Sequence, residues 1–336
     1  MGRPEKVMQM NNKAIKLGII GTSAITDKFL TAVNFSKRFV LTAVYSRTYE
    51  KGRAFAEKYG QIPVYTDFND MLKSGIEAIY IASPNSCHFE QSRFFLENRI
   101  NVLCEKPIVT NLSQYKELKK LADKNGVIYM EAIMSMYSPY YDILHNAIKK
   151  IGKISFARID FCQRSSRLDD FYKGIPQNIF DMKLHAGTLM DLGVYCVYGA
   201  VDLFGKPEKI SAEANYFKNG CDCSGTSVFY YDDFTAVLTY SKNGQSMLHS
   251  EIIGENGAVT VESVSQYAGI KLYVDKKEQF SYPVPERKEI MSGEVNAFAD
   301  FVEKNNLNLY DDRSAVCRIV HSCMDKIKID AKICYD

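Results

Sequence analysis

Short apolar runs alternate with amphipathic stretches over the first 135 residues of the chain. The runs have the length of buried strands, and the stretches between them repeat apolar residues at helical spacing, as Ile25, Phe29 and Val33 do. The predicted strands are residues 16–20, 40–45, 78–82, 101–105 and 127–131, and the predicted helices include residues 50–59, 89–98 and 112–125. Strands alternating with helices are typical of a parallel sheet, so residues 1–135 are predicted to form a doubly wound α/β (Rossmann) domain.

From residue 136 onward the pattern becomes strand-rich. Alternating runs follow a predicted helix at residues 139–150, and further helices are predicted at residues 190–204, 293–302 and 313–331. The predicted strands are residues 155–161, 209–216, 227–231, 235–240, 246–253, 258–261 and 270–274. Asn243-Gly244 and Asn256-Gly257 are typical of hairpin turns between such strands. Residues 136–336 are therefore predicted to form an open, mostly antiparallel sheet with helices on one face.

Composition limits the kind of protein. The chain has 336 residues, 46% hydrophobic and 24% charged, so it can bury a sizeable core in about two domains. A net charge of +2 without a dense basic cluster argues against nucleic acid or a membrane surface as a partner. No apolar run approaches the roughly 18 residues that span a bilayer, and residues 1–12 lack the apolar centre of a signal peptide. We expect a soluble, cytoplasmic protein.

The cysteines and histidines form no metal-ligand pattern. Nine cysteines without a CxxC pair fit reduced thiols better than a disulfide framework, and the five histidines are scattered. We therefore expect no structural metal. The 22 tyrosines and 19 phenylalanines would give the second sheet an aromatic face, which is either core or a subunit interface.

A glycine turn follows the first predicted strand. In the dinucleotide fingerprint G-x-G-x-x-G, small residues let the backbone and a helix N-terminus approach a pyrophosphate. Here Gly21 keeps the first position, while Ser23 and Thr26 occupy the other two. Small residues still allow that approach, and their hydroxyls could donate to a phosphate. The turn predicts a dinucleotide site formed by Gly21, Thr22, Ser23, Ala24 and Ile25.

The second strand ends in Ser46 and Arg47. An NAD site usually has an acidic residue near this strand end, whereas arginine suits the 2′-phosphate of NADP. No acid stands here, so we favour NADP over NAD. The alternative is an ordinary surface arginine at the start of the next helix.

Two further strand ends carry polar residues that could reach the same edge of the sheet. Ser83, Pro84 and Asn85 form a turn after the strand at residues 78–82, and His88 follows either as a packing residue or as a base. The next strand stops in Glu105, Lys106 and Pro107. Ligands bind beyond the carboxyl ends of parallel strands, and the fixed φ of proline gives Lys106 a defined direction. A solvated Glu-Lys pair is the alternative.

A second candidate centre lies in the segment Gly187-Thr188-Leu189-Met190-Asp191-Leu192-Gly193-Val194-Tyr195. Asp191 and Tyr195 stand four residues apart and would share one helical face. A carboxylate can orient a phenol, and a nearby lysine can lower the pKa of a tyrosine so that it acts as an acid or base. His185 is another candidate in this segment, and a packing role for Tyr195 is the alternative.

Together these motifs resemble the Gfo/Idh/MocA family of oxidoreductases. The resemblance covers residues 15–302 and is greatest to the branch of dimeric dihydrodiol dehydrogenases and NADP-dependent xylose dehydrogenases. It implies an NAD(P)-dependent enzyme that moves a hydride between the nicotinamide and a secondary alcohol or carbonyl of a sugar, polyol or cyclic diol. In that reaction Lys106 would bond the reacting oxygen, Tyr195 would transfer the proton, and Asp191 would place both.

The same resemblance implies a cis bond between Lys106 and Pro107. It also implies that residues 136–336 bind the substrate and join the subunits of a homodimer or homotetramer through the second sheet. Met136 stands where relatives of this branch often have an arginine, and His185-Ala186 stands where glycines are common, so the substrate of a relative cannot be transferred directly. Two alternatives remain: a redox sensor that binds the cofactor without turnover, and a hydrolase that works through transient oxidation.

Overall fold

The computed structural model describes residues 14–335, which form two sheets. The first sheet has six strands in the order β3-β2-β1-β4-β5-β6, and all neighbours are parallel. Its strands are β1 (Ile15–Ile20), β2 (Phe39–Tyr45), β3 (Val64–Tyr65), β4 (Ala78–Ile81), β5 (Asn101–Glu105) and β6 (Tyr129–Ala132). The strand order reverses between β1 and β4, and ligands of doubly wound sheets bind at this point.

The helices of this half confirm the predicted alternation. They are α1 (Ala24–Ser36), α2 (Tyr49–Ala56), α3 (Phe68–Leu72), α4 (Asn85–Glu97) and α5 (Leu112–Asn125). Helix α4 begins at Asn85, several residues before the predicted start, because the fixed backbone of Pro84 supplies its entry. Strand β3 and helix α3 were not predicted, since two and five residues are too short to show a period.

The second sheet has eight strands in the order β14-β13-β12-β11-β7-β10-β9-β8. It is mixed but mostly antiparallel, because only β7 and β10 run parallel among its neighbours. The strands are β7 (Ile154–Cys162), β8 (Lys209–Tyr216), β9 (Asp222–Tyr230), β10 (Thr235–Ser241), β11 (Ser250–Gly254), β12 (Gly257–Ser263), β13 (Ala268–Val274) and β14 (Lys277–Tyr282). Strand β14 was not predicted, because it is an exposed edge strand of mostly polar residues.

One of the two predicted hairpins is wrong. Asn256-Gly257 does join the antiparallel neighbours β11 and β12. Asn243-Gly244 lies between β10 and β11, but β7 separates these two strands in the sheet. The dipeptide therefore forms a turn without a hairpin, since turn chemistry specifies the local bend and not the pairing that follows.

The helices of the second half are α6 (Tyr141–Lys150), α7 (Leu168–Tyr172), α8 (Val194–Phe204), α9 (Arg287–Val302) and α10 (Leu307–Asp330), with a π-helical turn, Leu189–Gly193, directly before α8. Two of these helices, the last two along the chain, also pack against helices of the first half. Helix α8 is buried between the second sheet and α10. Helix α9 returns to the first sheet, where Phe298 stacks on Phe39 with ring centroids 5.5 Å apart. The division of the chain at residue 135 stays a prediction.

Two observations bear on other expectations from the sequence. No helix within residues 14–335 is long and apolar enough to cross a membrane. The polar segment at residues 1–12 lies outside the described residues.

Candidate active site

The turn after β1 requires glycine. Gly21 has φ +101°, and a Cβ at this position would lie 2.4 Å from the carbonyl oxygen of Ala82. Helix α1 begins directly beyond the turn, and the hydroxyl of its N-cap residue Ser23 makes no capping bond. The amides of the first helical turn and this hydroxyl are therefore available to a phosphate, so the site fits a dinucleotide although the fingerprint is incomplete.

A cavity of about 1160 Å³ extends from this turn to the start of α8. It is large enough for a dinucleotide with a small substrate, since ligand sites usually measure about 300–1,000 Å³. The strand-end residues and the π-helical turn share this one cavity. Of the predicted site residues, Ala24 and the further candidate His185 do not line the cavity. The others do: Gly21, Thr22, Ser23, Ile25, Ser46, Arg47, Ser83, Pro84, Asn85, His88, Glu105, Lys106, Asp191 and Tyr195.

Lys106 bridges the two halves of the molecule. Its ammonium donates to the backbone oxygen of Asp191 over 2.8 Å and to the Asp191 carboxylate, and it lies 5.1 Å from the ring centroid of Tyr195. Burial alone would lower the pKa of Lys106, but the Asp191 carboxylate outweighs that effect, so the pKa lies above its ordinary value. The lysine is therefore a fixed cation. The peptide bond to Pro107 is cis, as the resemblance implied.

Asp191 holds a second lysine that the sequence did not suggest. Lys242 follows β10, is 2% exposed, and places its Nζ 2.9 Å from the other carboxylate oxygen of Asp191. Burial would raise the pKa of Asp191, but Lys106 and Lys242 outweigh it, so the pKa lies well below its ordinary value. One carboxylate thus joins two cations. Lys242 belongs to the turn that was misread as a hairpin, and no local signal marked it.

The π-helical turn that carries Asp191 is held by a buried carboxylate. Asp222 accepts a hydrogen bond from the backbone N–H of Leu189 over 2.7 Å, and its backbone oxygen accepts one from the Thr188 hydroxyl over 2.9 Å. Gly187 has φ +150°, and a Cβ there would lie 1.9 Å from the Asp222 carboxylate. Gly187 therefore leaves room for the Asp222 side chain, and Thr188 holds the Asp222 backbone in place. Such π-turns are frequent at functional sites.

Tyr195 presents its phenol to the cavity. The residue is 7% exposed, and its ring packs edge-on against Phe161 with centroids 5.7 Å apart. Burial raises the pKa of Tyr195 above its ordinary value of 10, and the charge of Lys106 offsets this rise only in part. Only burial and neighbouring charges act on its hydroxyl, which makes no hydrogen bond to a described residue. A neutral phenol beside a cation can give a proton to a developing alkoxide.

The polar residues after β4 serve to hold the cavity wall. His88 is buried, with Nδ1 2.9 Å from the Pro107 oxygen and Nε2 2.9 Å from the Ser83 oxygen, and burial lowers its pKa. Both ring nitrogens face carbonyl oxygens, which fits the packing role of His88 better than the role of a base. Asn85 donates to the His185 oxygen over 2.8 Å. His185 itself does not line the cavity and stacks on Tyr335, so the structure does not support a catalytic role for it.

The cofactor end of the cavity is positively charged. Arg47 at the end of β2 is exposed and makes no ion pair with another described residue. Lys51, one helical turn further on, lines the same region and was not predicted. Glu105, which also lines the cavity, accepts a hydrogen bond from the Tyr80 hydroxyl over 2.5 Å. The two free cations can receive a phosphate, while Glu105 is tied into the sheet.

One buried group within the described residues has a donor set that could hold a metal. Ligand atoms of Glu131, Cys317 and His321 lie within 4.8 Å of one another. However, one carboxylate oxygen of Glu131 sits among the donors: Cys317 lies 3.0 Å from it, His321 3.1 Å and Tyr198 2.5 Å. Hydrogen bonds to a buried carboxylate account for this group, and the expectation of no structural metal stays a prediction.

A doubly wound parallel sheet with its cleft at the carboxyl edge is an architecture that binds dinucleotides. Models of two protein families match the chain. The model of the oxidoreductase family with an NAD-binding Rossmann fold covers residues 15–133, and the model of the GFO/IDH/MocA C-terminal domain covers residues 147–260. The chain belongs to the Gfo/Idh/MocA family.

Known relatives agree with this membership. The chain is 37% identical over 294 residues to the scyllo-inositol 2-dehydrogenase (NADP(+)) of Bacillus subtilis, covering 87% of this chain and 90% of the relative. It is 28% identical over 296 residues to the trans-1,2-dihydrobenzene-1,2-diol dehydrogenase of Xenopus laevis, covering 83% and 84%. Its fold matches the 3-ketoreductase KijD10 of Actinomadura kijaniata, in complex with NADP and TDP-benzene, with a TM-score of 0.83, 21% identity and coverage of 95% and 98%. The protein is an NAD(P)-dependent oxidoreductase that binds its cofactor through the Rossmann domain.

Proposed function

We propose that the protein is an NADP-preferring dehydrogenase or reductase that acts on a secondary alcohol or carbonyl of a polyol, sugar or cyclic diol. The observation that carries the proposal is the position of Lys106, between the carboxylate of Asp191 and the ring of Tyr195, in the cavity that begins at Gly21. An anchored cation and a neutral phenol are the groups that a carbonyl needs when it becomes an alcohol.

Each of the three residues has a distinct role in the proposed reaction. The nicotinamide supplies or accepts the hydride when the cofactor is bound. In the direction of reduction, Lys106 donates a hydrogen bond to the substrate oxygen, and Tyr195 gives that oxygen its proton. The phenolate left behind is stabilised by the ammonium, 5.1 Å from the ring centroid. Asp191 keeps the ammonium charged and in place.

The names of the relatives support the substrate class. One is named for scyllo-inositol, a ring with a hydroxyl on every carbon, and another for a cyclic 1,2-diol. The cavity is also lined by two lysines, Lys106 and Lys242, and by three carboxylates, Asp191, Glu105 and Glu294, so their charges nearly balance. A neutral polyhydroxylated ring is compatible with such a site.

Turnover of NADPH with a panel of ketones and of NADP with a panel of polyols, including scyllo-inositol, tests the proposal. We expect Lys106→Ala to lower kcat by roughly 10²–10³-fold, because the reacting oxygen loses its cationic donor. Lys73→Ala is the matched control, since Lys73 is an exposed lysine whose side chain is 77% accessible. NADPH fluorescence should show that both variants still bind the cofactor.

The same panel separates the alternatives. Bound NADPH that no compound consumes would favour a sensor and contradict the proposal. Product formation without a net change in the redox state of the cofactor would favour hydrolysis through transient oxidation.

Preference for NADP depends on Arg47 in this proposal. Arg47→Leu should raise the KM for NADP about tenfold, equivalent to about 1.4 kcal/mol, while the KM for NAD stays unchanged, because only NADP carries the 2′-phosphate. Steady-state kinetics with both cofactors measure the effect. An equal rise for NAD would mean that Arg47 does not bind the 2′-phosphate.

We also infer a homodimer or homotetramer joined through the second sheet. Support comes from alternate residues at its centre, such as Arg158 and Asp160 of β7 and Val237 of β10, which are only partly buried. Light scattering after gel filtration would give the mass of the particle, and a monomeric mass would contradict the inference.

A further inference from the structure

Lys242 is the most buried cation of the cavity, and the roles proposed above do not use it. It is 2% exposed, and its backbone N–H donates to the Cys223 oxygen over 2.9 Å, which holds the chain at the end of β10. Its ammonium lies 5.5 Å from the ring centroid of Phe180. A buried ammonium needs several partners, because taking it out of water is costly.

The donor count of Lys242 is incomplete. An ammonium has three N–H donors and no acceptor. Two are accounted for by the Asp191 carboxylate, 2.9 Å away, and the Ile179 oxygen, 3.3 Å away. No third oxygen or nitrogen acceptor for the ammonium is found among the described residues; the Phe180 ring, 5.5 Å away, covers one side of it, and the side chain lines the cavity. One N–H is thus left for a ligand or a water molecule.

Lys106 has the same arrangement on the other side of the carboxylate. Two of its donors go to the backbone oxygen and the carboxylate of Asp191, which leaves one N–H, and the side chain lines the cavity beside the Tyr195 ring. The two ammonium groups are therefore held side by side by the two oxygens of one carboxylate. A carboxylate that bridges two lysines in this way presents two separate donors to one small molecule.

We propose that Lys106 and Lys242 together bind two neighbouring oxygens of the substrate, so that the enzyme selects a ketone or secondary alcohol flanked by a second hydroxyl. The proposal rests on the function proposed above, in which Lys106 bonds the reacting oxygen. Lys242 then donates to the hydroxyl on the adjacent carbon. Lys242 is then the residue that determines specificity for the oxygen next to the reacting carbon.

Two isomeric substrates isolate this contact. 2-Hydroxycyclohexanone and 4-hydroxycyclohexanone have the same composition and differ only in the position of the hydroxyl. With NADPH, the wild-type protein should prefer the 2-hydroxy isomer in kcat/KM by roughly ten- to hundredfold, the ratio expected for one hydrogen bond from a charged donor. Lys242→Met should lose this preference, with the loss falling on the 2-hydroxy isomer. Lys73→Met, at the exposed lysine, should keep it.

A structural role for Lys242 would give a different result. If Lys242→Met lowers kcat/KM equally for both isomers, the lysine acts only through Asp191 and the proposal is overturned. Lys242→Gln covers the case in which the methionine variant does not fold, since an amide can still donate to both Asp191 and the substrate. It should keep part of the preference for the 2-hydroxy isomer, and an equal loss for both isomers would again overturn the proposal.

Failure of the proposed function is a separate outcome. If the wild-type protein reduces neither isomer, saturation-transfer NMR on the protein loaded with NADP can compare binding of the 2- and 4-hydroxy compounds. Stronger binding of the 2-hydroxy isomer that disappears in Lys242→Met supports the two-lysine site without turnover. Equal binding of both isomers to the wild-type protein overturns it.

Discussion

Tyr195 and Tyr198 lie about one turn apart on helix α8, and they differ in the hydrogen bonding of their hydroxyl groups. Both rings are nearly inaccessible, with exposures of 7% and 1%, and burial raises the pKa of both phenols. The hydroxyl of Tyr198 donates to a Glu131 oxygen over 2.5 Å. The hydroxyl of Tyr195 has no described partner and adjoins the cavity.

The partner of each hydroxyl explains the difference. Both carboxylate oxygens of Glu131 already accept hydrogen bonds. One accepts from Tyr198, Cys317 and His321, and the other accepts from the Ile108 backbone N–H. Such a phenol is fully satisfied and stabilises the fold. A phenol beside a charged lysine with its hydroxyl free can instead exchange a proton with a ligand. The direction of a pKa shift therefore does not separate a chemical tyrosine from a structural one, whereas the hydrogen-bond partner does.

The first prediction separates the two tyrosines by turnover. Tyr195→Phe should lower kcat by roughly 10²–10⁴-fold, because the proton donor is lost while the ring and its contact with Phe161 remain. Thermal denaturation should be nearly unchanged, since no described hydrogen bond is removed. Full activity in Tyr195→Phe would remove the tyrosine from the mechanism.

Tyr198→Phe is the matched change and should affect stability. It removes one donor from the buried Glu131 carboxylate, so the free energy of unfolding should fall by about 1.5–3 kcal/mol. Urea denaturation measures this loss, and kcat per folded molecule should stay near that of the wild type. A loss of kcat comparable with that of Tyr195→Phe would mean that the hydrogen bonds around Glu131 contribute to catalysis.

The smallest expected effect is that of alkaline pH on reduction. Because burial holds the pKa of Tyr195 above 10, the phenol keeps its proton and kcat/KM should not fall from this ionisation between about pH 6 and pH 10. The pKa of Lys106 is raised as well, so the cation persists over the same range. An alkaline limb below pH 9 that is absent in Tyr195→Phe would show that the charge of Lys106 dominates over burial.

The fold of the first half was predictable because its strands are buried on both faces. Parallel strands such as β1, β4 and β5 read as continuous apolar runs, and their bounds agree with the prediction to within one residue. Strand β14 was missed because its residues are polar and exposed. An exposed edge strand buries neither face, so its sequence does not need the alternating hydrophobic residues by which a strand is predicted.

The site residues that directly follow a parallel strand could be predicted from the sequence. Gly21, Arg47 and Lys106 each follow a parallel strand, so the fold class alone brings them to one edge of the sheet. Asp191 and Tyr195 were chosen on α-helical spacing, although in the structure Asp191 lies in a π-helical turn and Tyr195 in the α-helix that follows. Both still line the cavity, because the turn ends just before Tyr195.

What the sequence by itself determined was the pair of sheets, the carboxyl edge where ligands bind, and the types of side chain at that edge. Only the tertiary structure decided which of those side chains meet. Lys106 and Asp191 are 85 residues apart in sequence, and Lys242 comes to the same carboxylate from a turn without any local signal. The hydrophobic periodicity of a segment shows which face of its helix or strand is buried. Contacts between residues of different elements depend instead on how the two sheets pack, and that packing depends on the whole chain.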